Sequence, residues 1–512
     1  MYLLETIEAW ASFLMEPLEC RLLLSAATLP PMAGVPWVRD AGDGGVIVAG
    51  VWPDYTSLNI VRVTSTGALD PTFGHGGLIR LADADGIDQI LVQTDGKLLV
   101  LTDPLQGAAP TLYRFNHDGR ADQSFGSGGR FTLPDSCQGW GATMALSGDG
   151  RIVVASPSES AEGDRTDLMI LRLGAEGQLD ASFAAGGVVV RHYADELAAV
   201  SSIFISDAGE VSVNAYDWVG TADVFPRLRA DGSFVASSGE EGVVTLPPAY
   251  GLLETPDDQI VSVDLINDGG GTNVLLHKFG IDGAPDPLFG EAGHASLHTG
   301  WAMLAMDPLL MSDRRIMLPF FTGNGIAGGE EIIAVNPDGS EDVNFADHGR
   351  LIFDDDASLV HSEMDFAQTR DGGLVEAHFT SPAADAPVEG LATPTQLVIN
   401  RVGTDGRPIA TFGVNGKIVL DIDPTGADVP VDDPAPESDP STPPDAGSAD
   451  EPSDVLVSDS ADSGASGAVG APEPAASEFF AESSNPDAPA SLFDLSGDGS
   501  LLGQRDDSLF SI

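Results

Sequence analysis

Basic residues are scarce in this chain of 512. Lys and Arg number 23 against 79 Asp and Glu, a formal charge of −56. Nucleic acid and anionic membrane surfaces are recognised by clustered cations, so this balance argues against both as partners. It fits a self-repelling, soluble surface and is compatible with cation binding. Cysteine is nearly absent too. Cys20 and Cys137 cannot make a disulfide framework, and no CxxC metal or redox pair occurs. No apolar run approaches the roughly 20 residues of a membrane-spanning helix. The opening MYLLETIEAW carries Glu5 and Glu8 where a secretory signal would carry Lys or Arg. Leu3, Ile7, Trp10 and Leu14 instead have the spacing of a short amphipathic helix over 3–14, with an acidic polar face. Also missing are a Gly-x-Ser-x-Gly elbow, a Walker loop and an HExxH helix.

What the chain does have is one phrase repeated seven times: Gly, then Asp at the third following residue, Phe at the sixth and Gly at the tenth. Clear copies are Gly67-Asp70-Phe73-Gly77, Gly119-Asp122-Phe125-Gly129, Gly177-Asp180-Phe183-Gly187, Gly283-Asp286-Phe289-Gly293 and Gly339-Asp342-Phe345-Gly349. Two copies are eroded. Gly232 is followed by Val235, Ser238 and Gly242, and Gly406 by Ile409, Phe412 and Gly416. A second signal recurs with the same frequency: Asp-Gly pairs between alternating apolar runs at Asp43-Gly44, Asp95-Gly96, Asp149-Gly150 and Asp371-Gly372, with degenerate versions near Asp207-Ala208-Gly209, Asp257-Asp258 and Asp313-Arg314, mark seven hairpins. The third unit shows the resulting pattern. Runs at 141–146, 151–156, 168–173 and 187–191 read as four strands.

Four antiparallel strands per unit, seven times over, is the composition of a β-propeller, for which roughly 4 to 8 blades are usual. The rival is a linear solenoid, which needs polar capping repeats. The first and last units here look like the others, so an all-β, seven-bladed propeller over 35–422 is expected. Residues 1–34 form an atypical leader. Residues 423–490 are an acidic, Pro/Ser/Asp-rich stretch with too few apolar residues to offset ordering entropy, and read as disordered linker. Residues 491–512 regain Leu and Phe.

Phrases such as LNIVRVTSTGALDPTFGHGG, LMILRLGAEGQLDASFAAGG and LVINRVGTDGRPIATFGVNG, with hairpins such as VQTDGKLLVL, resemble the delta-60 repeat family of bacterial β-propeller-like proteins. In the leader, Leu18, Glu19, Arg21, Leu23, Leu24, Ser25 and Ala26 are similar to the LEPR-XLL sorting motif, with Cys20 in place of its proline. That resemblance implies export or a cell-surface location.

Among candidate ligands, the repeated Asp residues could form a ring of cation sites, but an Asp just past a Gly turn ordinarily accepts local backbone N–H bonds. The repeated Phe is expected to anchor the connection between third and fourth strands in the core. His294 and His298 share one strand face without a third zinc ligand by spacing. Asp494, Ser496, Asp498 and Ser500 match the start of an EF-hand-type or dockerin-type calcium loop, though position 12 is Arg505. No other cofactor is indicated. The reading is a monomeric, non-enzymatic binding or scaffold propeller for a protein or glycan ligand. The alternatives are a propeller lyase or hydrolase acting at the central mouth, and a purely structural envelope component.

Overall fold

The computed structural model describes residues between 28 and 422, apart from short internal segments. The leader residues Leu18–Ala26 and the tail positions Asp494–Ser500 lie outside the described residues. All described elements are strands, and none is a helix long and apolar enough to cross a membrane.

The strands form seven sheets. One short strand, β1 (Thr28–Leu29), precedes the first blade. Blade 1 takes β2 (Ala33–Asp40), β3 (Val46–Val51), β4 (Ser57–Val63) and β5 (Leu78–Ala82). Blade 2 takes β6 (Ala84–Val92), β7 (Leu98–Pro104), β8 (Thr111–Phe115) and β9 (Arg130–Thr132). Blade 3 follows with β10 (Thr143–Leu146), β11 (Ile152–Glu159), β12 (Thr166–Leu173) and β13 (Val188–Arg191). Blade 4 is β14 (Leu197–Ile205), β15 (Val211–Asp217), β16 (Asp223–Leu228) and β17 (Val243–Leu246). In blade 5 come β18 (Gly251–Thr255), β19 (Gln259–Asn267), β20 (Thr272–Gly280) and β21 (His294–Thr299).

The last two blades split their first strand in two. Blade 6 has β22 (Ala302–Leu304) and β23 (Leu309–Leu310), both on β24 (Ile316–Thr322), then β25 (Glu330–Val335) and β26 (Arg350–Phe353). Blade 7 has β27 (Leu359–His361) and β28 (Asp365–Gln368), both on β29 (Leu374–Pro382), then β30 (Gln396–Val402) and β31 (Lys417–Ile422).

Each blade is an antiparallel meander, and the Asp-Gly hairpins join its first two strands. The first strands of neighbouring blades touch, as β2 touches β6 and β10 touches β14, so they converge on the ring axis. Alternate residues of each strand face opposite neighbours. In β29, Val375, Ala377 and Phe379 pack with Val46, Val48 and Val61 of blade 1. Leu374 packs with Ile332 and Ala334 of blade 6.

The ring is closed. Asp365 of blade 7 accepts from Val38 N of blade 1 at 2.7 Å and pairs with Arg39 at 2.5 Å. Arg370 N donates to Asp40 Oδ2 at 2.7 Å, and Gly413 N to Ser65 O at 2.8 Å. In addition β1 lies parallel to β31, Thr28 opposite Asp421 and Leu29 opposite Ile422. The ring therefore takes in Thr28–Leu29 and the start of β2, positions within the 1–34 segment. Leu29 and Met32 are fully buried in the core between blades 7 and 1. The seam between blades 4 and 5 has the smallest apolar cluster, built on Phe225, Val244, Ala249, Leu252 and Ile260.

Candidate functional site

The repeated Gly-Asp-Phe-Gly phrase lies between the third and fourth strand of each blade, where it works as a latch. Blade 2 shows the parts. Asp122 N donates to Arg114 O, Phe125 N to Asp122 O and Gly129 N to Phe125 O, each at 2.8–2.9 Å. The Asp122 carboxylate accepts from Ser124 N at 3.1 Å and pairs with Arg114 at 2.8 Å. Arg114 lies over the Phe125 ring, 4.4 Å from its centre, and donates to Ala175 O of blade 3. Gly126 N crosses the same seam to Glu176 O at 2.8 Å. The equivalent approach at the seam with blade 1, Gly74 N to Asp118 O at 2.8 Å, is why position 119 is glycine. Its φ is +79°, and a Cβ there would stand 2.5 Å from Gly74 N of blade 1.

The other copies use the same parts. Asp70, Asp180, Asp286 and Asp342 pair with Arg62 (3.2 Å), Arg172 (2.9 Å), Lys278 (3.2 Å) and Arg315 (3.1 Å). Phe73, Phe183, Phe289, Phe345 and Phe412 are all at most 1 % exposed. Gly177, Gly339 and Gly406 face the preceding blade as Gly119 does, whereas the described residues leave the space around Gly283 open. Gly67 has a φ of +87°. At Asp70, Asp122, Asp180 and Asp286, salt pairing and local hydrogen bonds hold the carboxyl below its ordinary range. At Asp180 the bond from Ser182, with help from Arg172, brings it to about 2. A cation eight residues before six of the seven Asp positions is legible in the sequence as Arg62, Arg114, Arg172, Arg227, Lys278 and Arg401; blade 6 has Ala334 there and draws on Arg315 instead.

Blade 4 breaks the latch. Val235 replaces the Asp, and Arg227 turns instead to blade 5, pairing with Asp258 at 2.8 Å and Glu254 at 3.4 Å. Ser238 lies outside the described residues. Beside this redirected arginine is a cavity of about 160 Å³ between blades 4, 5 and 6. Its lining mixes apolar Phe204, Phe225, Leu252 and Pro308 with polar Ser202, Ser212, Asn214, Glu254 and Asp307. Asn214 is 5 % exposed, and its Oδ1 has no hydrogen-bond partner. An orphaned buried amide is costly, so it marks a place for a donor. Burial pushes Glu254 up to about 6 despite Ser212 and Arg227. Asp307 is open to solvent but hemmed in by protein, and lost hydration together with Asp223 lifts it to about 6.

The histidines of blade 5 find a partner that spacing could not give. His277 stands opposite His294 in register, with Nδ1 atoms 2.6 Å apart, and its Nε2 lies 3.5 Å from Asp264. His298 turns to Asn273 Oδ1 at 3.0 Å. Burial holds His277 below its ordinary range. Cys137 is buried among blades 2 and 3, and burial lifts its thiol to about 11.

Two stretches, residues 42–73 and 148–183, match the family described as "Domain of unknown function (DUF5122) beta-propeller". No curated protein matches the chain. Among solved structures, polysaccharide lyase Uly1 is similar at 8 % identity and a TM-score of 0.43, over 75 % of this chain and 92 % of that one. A virginiamycin B lyase from Staphylococcus aureus, crystallised with quinupristin, gives 10 % and 0.38 over 69 % and 94 %. A protein of unknown function from Dyadobacter fermentans gives 12 % and 0.31 over 59 % and 93 %. Likenesses at this level assign no activity. With two units matched by a propeller family and seven blades in a closed ring, the chain is a β-propeller repeat protein.

Proposed function

We propose that this propeller is a non-enzymatic binding module, and that its ligand is a saccharide unit held between blades 4, 5 and 6. The observation that carries this reading is the orphaned Asn214 Oδ1 in a cavity lined by Phe204 and Phe225 together with several acceptors. A sugar ring suits that mixed lining, with hydroxyl donors for the acceptors and an apolar face for the aromatic rings. The latches elsewhere engage the repeated charges in holding blades together, which leaves the site where the pattern breaks as the place for recognition. A surface or extracellular location, as the leader's resemblance implies, would suit a glycan ligand. Saturation-transfer NMR against a panel of neutral mono- and disaccharides tests the proposal. Binding that disappears in Asn214→Leu, with an unchanged melting temperature, is expected. A panel without a binder at millimolar concentration contradicts it.

One observation favours an enzyme instead: Glu254 and Asp307, both held near 6, line the same cavity. Carboxyls poised in that range suit general acid–base chemistry on the same ligand. Turnover of a bound saccharide, abolished by Asp307→Asn, would move the reading there.

A further inference from the structure

The seam between blades 6 and 7 carries charged groups at two positions that most other blades fill with aliphatic residues. Counting from the hairpin turn, Glu376 of β29 occupies the position of Val48, Val100, Val154, Val213 and Leu318 in other blades. His378 follows on the same strand face. Across the seam, Glu330 of β25 occupies the position of Leu58, Leu168 and Leu397. All three are at most 1 % exposed. His378 Nδ1 lies 2.7 Å from Glu376 Oε1 and 3.4 Å from Glu330 Oε2. One ligand atom from each residue falls within 4.8 Å of the other two.

Two further residues complete the setting. Asn400 Nδ2 donates to Glu376 Oε2 at 2.7 Å, which fixes that carboxylate as an outer-shell partner fixes a metal ligand. Thr380, 1 % exposed, projects from the same face of β29, two residues beyond His378. Its Oγ1 has no hydrogen-bond partner. A fully buried hydroxyl left in that state is an acceptor and donor reserved for something at this end of the seam.

We infer that Glu330, Glu376 and His378 form a binding site for a divalent transition-metal cation that staples blade 6 to blade 7. An imidazole nitrogen with two carboxylates is a donor set suited to zinc or manganese. Coordination through Nδ1 requires that nitrogen to be without its proton, so affinity rises with pH. The site lies at the seam of blades 6 and 7 and shares no residue with the saccharide cavity, which is lined from blades 4, 5 and the first part of blade 6.

The test uses the full chain, expressed with added zinc or manganese, dialysed and analysed by plasma mass spectrometry. A single retained equivalent is expected, together with a melting temperature that falls with EDTA and recovers on adding Zn²⁺. Metal should be lost in His378→Ala and in Glu376→Val, the latter restoring the residue that blades 1 to 4 use and therefore expected to fold. His294→Ala should keep it. Wild-type protein that retains no metal and has a melting temperature indifferent to EDTA, Zn²⁺ and Mn²⁺ overturns the inference, leaving a hydrogen-bonded ion cluster. Metal lost in His294→Ala but kept in both seam variants also overturns it, placing the ion on blade 5.

Discussion

Phe125 is fully buried and covered by Arg114, so its removal leaves a cavity that the closed seam cannot collapse. Phe125→Ala should cost about 3–5 kcal/mol, read from chemical denaturation. The opposite sign is expected at Arg314. It holds a hairpin turn with φ at +70°, where five of the other six blades place Gly, and its side chain is exposed. Left-handed backbone costs a residue with a Cβ about 1–2 kcal/mol, so Arg314→Gly should stabilise by about 1 kcal/mol. The residues of the phrase were legible because they recur in register; a Gly, an Asp and a Phe at fixed offsets imply one local geometry. Asn214 and His277 were not legible. What makes them notable is a cross-strand or cross-blade neighbour, Phe204 and Asp307 around one cavity and His294 opposite the other, and no spacing along the chain encodes those neighbours.

At the scale of strands and their connections, the latch and the cavity respond to acid in opposite directions. Asp180 is lowered in the folded state to about 2, so its contribution is present above the ordinary Asp range and lost as pH falls toward 2. Glu254 and Asp307 are raised to about 6, so their contribution is full below about pH 4 and lost as pH rises through 6. The melting temperature should therefore climb modestly from pH 7 to pH 5 and fall steeply below pH 4. In Asp307→Asn the climb should shrink while the acid fall stays. Strand order and hairpins followed from the Asp-Gly turns, which fix register locally. The seams did not, because packing one blade on the next depends on which strand face each residue takes in three dimensions. The eroded fourth copy was the exception: with Val235 in the Asp place, Arg227 reaches across to blade 5.

The whole molecule is held by closure. Leu29 and Met32, from a segment whose composition resembles nothing else in the ring, are buried between its first and last blades. Leu29→Ala should lower stability by about 2–5 kcal/mol although it sits in a strand of two residues. Closure was expected from the absence of capping repeats, while the use of β1 as an added outer strand was invisible, since Thr28–Leu29 carries no repeat signal. The most direct test of the account is amide hydrogen exchange on the intact chain. Val38, Arg370 and Gly413 donate across the seam between blades 1 and 7, as Gly126 does within the array. A closed ring predicts exchange as slow at those three amides as at Gly126. Fast exchange at all three, with Gly126 protected, would describe an open stack of blades with frayed ends and contradict the ring.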